Sequence, residues 1–94
     1  MKTVKLPNGF ECQVNENVAN DMELVDMLAA TKSDGSVYSD IVLKIFGKEQ
    51  RDKLYDSIRT EDGIVPLIRD EGIEYSITDA VTDVLTALGT EGKN

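Results

Sequence analysis

The chain has no histidine, no tryptophan and a single cysteine among its 94 residues. Histidine is the commonest general base at neutral pH and the commonest zinc ligand, so its absence removes Ser-His-Asp hydrolase chemistry and zinc fingers. A lone cysteine closes no disulfide within one chain and builds no thiolate-rich metal site. Basic residues are scarce as well: 10 Lys and Arg stand against 18 Asp and Glu, giving a net charge of -8 and a pI near 4.3. That balance repels phosphate backbones and anionic lipid, so neither a nucleic-acid nor a membrane partner is expected. No stretch approaches the ~20 apolar residues of a membrane span, and Met1 to Asn8 carry no apolar run of the signal-peptide kind. The expected setting is a reducing cytoplasm.

What is present is the composition of one small domain, 40% hydrophobic and 30% charged, spanning residues 1–94. A chain this short buries only about 60–65% of the surface it exposes when unfolded, which makes a partner or an oligomer a natural source of further stability. The expected layout is a β-hairpin over residues 2–14, a helical part over 20–88 and a polar tail over 89–94.

The hairpin register follows from its faces. A two-residue Asn8, Gly9 turn would set Cys12 opposite Lys5 and Leu6 opposite Glu11, mixing polar and apolar residues on both faces. A three-residue Pro7, Asn8, Gly9 loop instead pairs Leu6 with Phe10, Val4 with Cys12, Lys5 with Glu11 and Thr3 with Gln13. The faces then separate, and the loop chemistry suits a type I turn followed by a left-handed residue, with Pro fixing φ and Gly taking φ > 0. An isolated hairpin is barely stable in water, so its apolar face must lie on helices.

Asn20 is placed to cap a helix over about 21–30, with Asp21 and Glu23 in its first turn and Met22, Val25, Leu28 and Ala29 as its apolar stripe. Ser33 to Ser36 breaks it. Residues 37–46, VYSDIVLKIF, are apolar almost all round, with Asp40 and Lys44 spaced i, i+4 on the only polar strip; such a helix is central or meets a partner. Gly47 suits a stop, after which KEQRDKLYDSIR restarts a surface helix on a stripe of Leu54, Tyr55 and Ile58. Beyond the turn-like Thr60 to Gly63, Pro66 can open a helix and Ser76 marks a second start, followed by Ile77, Ala80, Val81, Val84, Leu85 and Leu88 in helical period. Gly72 favours a kink or break near 72–75 over one straight rod, and Gly89 is the expected end.

Four features bear on chemistry. Asp56, Ser57 and Ile58 resemble the Asp-Ser-Leu/Ile site of acyl carrier proteins, in which the serine opens a helix after a long loop; here Ser57 falls near the end of a predicted helix, where a solvated serine is the plainer reading. An EF-hand loop with Gly35 or Gly63 at its sixth position would begin with Ala30 or Ile58, neither of which is a ligand. The acidic pairs Glu61 with Asp62 and Asp70 with Glu71 have no accompanying catalytic group and read as solvated surface. Cys12 lies on the apolar hairpin face away from Lys5 and reads as a small buried hydrophobe.

The charge is uneven: residues 1–15 sum to +1, residues 16–59 to -3 and residues 60–94 to -6. On the last helix Asp79 and Asp83 are like-charged i, i+4 neighbours, which a basic partner would relieve; alternatively Asp79 favours the helix N-terminus and Asp83 is solvated. The helix at 37–46 is expected in the core, and any exposed flank of it would mark a partner or self-association surface.

The order KLPNGFECQV, NDMELVDMLA, the apolar helix with GKEQRDKLYDSIR, the DGIVP turn and the closing ALGTEGKN resembles a small tail assembly chaperone of long-tailed, non-contractile bacteriophages, from a prophage of a Gram-positive host. Its most specific pieces are Gly47, Glu49, Gln50 and Leu54, the turn Asp62 to Pro66, and Ala87 to Gly89 with Gly92, Lys93 and Asn94. The resemblance implies a non-enzymatic protein that holds the helical tape measure protein soluble while tail tube subunits polymerise around it, acts in the host cytoplasm and is absent from the finished virion. It also implies self-association and, in many members, a longer product made by ribosomal frameshifting.

The sequence therefore predicts a mostly helical α+β domain, a hairpin packed on about four helices, with no catalytic, cofactor or metal residues. Partner contacts are expected from Ile41, Val42, Ile45 and Phe46 and from Asp79, Asp83, Val84 and Leu88. The tape measure protein is the expected client, with the tail tube protein as a further one. The alternatives are a carrier protein modified at Ser57 and an acidic phage-encoded inhibitor or nucleic-acid mimic using Asp79 and Asp83.

Overall fold

Pro7 and Gly9 set the first element. In a computed structural model, which describes residues 1–92, strands β1 (Lys2–Lys5) and β2 (Glu11–Val14) pair antiparallel, with Val4 opposite Cys12 and Lys5 opposite Glu11. The turn is closed by Gly9 N–H donating to Leu6 O and Leu6 N–H donating to Phe10 O, both at 2.8 Å, and Gly9 takes φ 94°. This is the register that separates the faces: Val4, Leu6, Cys12 and Val14 are all buried.

A single 3-10 turn (Val18–Asn20) leads into α1 (Met22–Ala30). The capping residue is Asp21 rather than Asn20, its carboxylate accepting from Glu23 N–H at 2.9 Å. The inward face also differs from the expected stripe. Leu24 is 1% exposed, with Met27 and Leu28 packed beside it, while Met22 is 66% and Val25 46% exposed. The helix is apolar on two sides, so its own periodicity leaves the roll open. Packing on the next helix settles it by burying Leu24 in the core, and Lys44 of that helix reaches Asp21 at 3.1 Å and Glu23 at 2.7 Å alongside.

Helix α2 (Val37–Ile58) is interrupted at Gly47, whose φ 76° and ψ 164° lie in a region essentially limited to glycine. The predicted stop and restart is thus one bent element of two limbs. The first limb buries Ile41, Val42, Ile45 and Phe46, and the second buries Leu54 and Ile58.

No helix opens at Pro66. Residues 59–76 form turns, including the one closed by Gly63 N–H donating to Thr60 O at 3.0 Å, before α3 (Ile77–Gly92) begins. The reason lies in the first turn of α3, whose N–H groups have no intrahelical acceptor. Ile77 N–H donates to Pro66 O at 2.9 Å and Thr78 N–H to Leu67 O at 3.0 Å, so carbonyls that a helix from Pro66 would use internally cap α3 instead. Helix α3 continues through Gly92, past the expected end at Gly89, because Gly89 keeps helical geometry. Lys93 and Asn94 of the expected tail lie outside the described residues.

The architecture is therefore α+β and mostly helical, with the hairpin, α1, both limbs of α2 and α3 around one core. Its radius of gyration, 12.9 Å, is close to the ~12 Å of a globular chain this long.

Candidate protein-binding site

The residues expected to meet a partner do not form a surface. Ile41, Val42 and Val84 are fully buried, and Ile45, Phe46 and Leu88 are nearly so. They are the core on which the hairpin and helices close.

Asp79 and Asp83 are used within the chain. Asp79 completes a capping box with Ser76, its carboxylate accepting from Ser76 N–H at 3.0 Å and from Ser76 Oγ at 2.8 Å. Arg69 lies 3.3 Å from the same oxygen. Asp83 accepts from the Tyr75 hydroxyl at 2.7 Å. Burial, followed by the hydrogen bond to Asp83, pushes Tyr75 above the ordinary tyrosine range. The like-charged pair of the last helix is therefore relieved by a serine, an arginine and a tyrosine of the same molecule.

Ser57 stands in the last turn of α2, where its Oγ donates to Leu54 O at 2.7 Å and accepts from Asn8 Nδ2 at 3.2 Å. It ties the helix end to the hairpin loop. Cys12 is buried, its Sγ 3.5 Å from Val4 O, and burial raises its thiol above the usual range. Among the described residues no group of His, Cys, Asp and Glu is arranged to hold a metal ion, and no helix is long and apolar enough to cross a membrane.

Several hollows open on the described surface: two larger and more polar ones, about 700 Å³ beside Glu61 and Ile73 and about 600 Å³ beside Asn15 and Lys44, and a smaller, mainly apolar one. Tyr38 and Ser39 of the first limb of α2, Tyr55 of the second, Val65 and Leu67 of the connection and Ile77 at the start of α3 line a mainly apolar groove of about 320 Å³. Residues 38 and 55 of a straight helix would stand about 25 Å apart. That both line one small groove shows what the Gly47 bend does: it folds the limbs of α2 toward each other. Gly35 forms part of the floor, where a side chain would meet Leu67 Cδ2 at 3.5 Å.

The connection that supplies Val65 and Leu67 to this groove also exposes large aliphatic residues. Leu67 is 40%, Ile64 56% and Ile68 62% exposed. Exposed Glu61, Asp62, Asp70, Glu71 and Glu74 are interspersed with them. Sequence periodicity offered no route to the groove, because its walls come from four separate stretches. The readable signals were Gly47, which places the bend, and Tyr55, which belonged to the expected stripe.

Comparison of the chain with protein-family models, curated proteins and solved structures finds no match.

Proposed function

We propose that this chain is a protein-binding module, and specifically a phage tail assembly chaperone that keeps the tape measure protein soluble in the host cytoplasm while the tail tube assembles. The observation that carries the binding role is the apolar groove between the limbs of α2, together with the exposed side chains of Ile64, Leu67 and Ile68 on an acidic connection. Exposed aliphatic residues grouped on a small domain are a signature of partner recognition, since a solitary monomer gains by covering them. The tape measure protein as client follows from the resemblance of the hairpin, GKEQRDKL and DGIVP segments to that chaperone family. Self-association and a contact with the tail tube protein belong to the same reading, as does absence from the finished virion.

The binding surface in this reading is no longer the helix at 37–46 itself. The first limb contributes through Tyr38 and Ser39, while Ile41, Val42, Ile45 and Phe46 hold it in place from the core.

The test is co-expression with the tape measure protein encoded nearby. The expected result is a soluble tape measure protein that co-purifies with this chain and precipitates when expressed alone. Equal solubility with and without the chain would remove the reading. Incubation with coenzyme A and a phosphopantetheinyl transferase, followed by intact mass, separates it from the carrier alternative, which requires a mass increase at Ser57.

A further inference from the structure

We propose that the groove walled by Tyr38, Tyr55 and Leu67 is the seat of a basic amphipathic helix, which inserts an aliphatic side chain between the limbs of α2 and sets Lys or Arg residues against the acidic connection over residues 60–76. The identity of the natural client rests on the chaperone reading; the chemistry of the seat rests on the groove.

The floor and walls are apolar but open to one side, with a volume of about 320 Å³. That is the low end of the ~300–1,000 Å³ range of ligand clefts, a size for one or two large side chains presented by a protein rather than for a buried cofactor. Leu67 of the groove wall and its neighbour Ile68 leave exposed apolar surface for a helix to cover.

Charge decides between occupants. The connection that supplies Val65 and Leu67 to the groove also exposes Glu61, Asp62, Asp70, Glu71 and Glu74 against a single basic residue, Arg69, which pairs with Asp79. This segment thus carries net negative charge, which attracts a basic helix and repels an acidic one. A second copy of this chain seated by the same face would bring two acidic connections together, since residues 60–94 carry a charge of -6. A basic partner is favoured over self-pairing on this ground.

The experiment uses the whole chain and a synthetic amphipathic peptide of leucine on one face and lysine on the other, with a leucine and glutamate peptide of the same pattern as control. Amide chemical shifts are followed on titration at low and high salt. The expected result is that the lysine peptide binds, moves the amides around Tyr38, Tyr55 and Leu67, and weakens severalfold as salt rises, while the glutamate peptide does not bind. Leu67→Ser is expected to weaken binding about tenfold, and Ile68→Ser, at a more exposed position, keeps the test valid should the first variant disturb the fold. Equal binding of both peptides, shifts confined to another face, or a dimer of the chain that covers the groove without peptide would each overturn the proposal. The chaperone reading fails separately. If the chain binds the lysine peptide but leaves the tape measure protein insoluble, the seat stands and the client does not. If Leu67→Ser and Ile68→Ser both keep the tape measure protein fully soluble, the client stands and the seat does not.

Discussion

The side chain of Gln50 and the backbone of Gln13 form a closed pair of hydrogen bonds: Gln13 N–H donates to Gln50 Oε1 at 2.6 Å, and Gln50 Nε2 donates to Gln13 O at 2.7 Å. A side chain of α2 thereby completes the outer edge of β2 as a third strand would. The same Nε2 also donates to Phe46 O at 2.8 Å, a carbonyl left over at the Gly47 bend. Edge strands leave unpaired backbone groups that invite association with other chains, and this amide covers one such pair.

Gln50→Ala should therefore loosen the hairpin. The site is exposed and water can replace the lost bonds, so a cost of about 1 kcal/mol is expected. Hydrogen exchange at the Gln13 amide should accelerate more than at Val4. Unchanged exchange at Gln13 would show that the pairing contributes nothing in solution.

Gly47→Ala tests the bend. Nothing lies within 4 Å of the position a side chain would take, so the expected penalty comes from the backbone at φ 76° and not from a clash. A loss of about 1–3 kcal/mol is expected, read as a lower urea midpoint. If the variant is as stable as the parent, the limbs of α2 adopt a different angle from the one described.

Tyr75 supplies an alkaline prediction. Burial and the hydrogen bond to Asp83 raise it above its ordinary value of 10.0. Below that value both folded and unfolded chains keep the proton, and stability is flat with respect to this group. Above it the unfolded chain releases the proton first, so stability falls as pH rises. Asp83→Asn should lower the Tyr75 midpoint in a tyrosinate absorbance titration, leaving only the part of the shift due to burial. A midpoint unmoved by the substitution would mean that the hydrogen bond is absent.

Lys44 supplies the acid counterpart. Its hydrogen bond holds the Asp21 carboxyl below 3.8, with backbone N–H groups of Glu23 and Leu24 adding to the effect. The stabilisation is present above the unfolded value and is lost as pH falls through the lower folded one, so it disappears below about pH 4. Lys44→Met should flatten that limb of an acid denaturation curve without abolishing it, because Asp34 is held low independently by its bonds from Ser36. A curve superimposable on the parent's would show that Lys44 leaves Asp21 in solution.

Local chemistry made several elements legible. Pro7, Asn8 and Gly9 set the loop and with it the register, since only one pairing separates apolar from polar residues and Gly9 alone accepts positive φ there. Ser76 followed by Asp79 marked the start of α3, because a hydroxyl and a carboxylate at that spacing satisfy backbone N–H groups whatever lies nearby. Gly47 marked an interruption for the same local reason.

Tertiary structure decided what local chemistry leaves degenerate. Helix α1 is apolar on two sides, and only its packing on the rest of the core selects Leu24 over Met22 and Val25. Pro66 could open a helix in isolation, but its carbonyl and that of Leu67 are drawn to the N-terminus of α3. The sequence favours the core for the helix at 37–46, but which of its flanks stays exposed is decided only by packing, which buries Ile41, Val42, Ile45 and Phe46 and leaves Leu43 42% exposed. The groove is the clearest case, since Tyr38 and Tyr55 come to line one hollow only through the angle at Gly47. The missing histidines and the acidic balance were in the sequence from the start; which apolar residues remain exposed to a partner depends on buried area and long-range hydrogen bonds, and these exist only once the chain is folded.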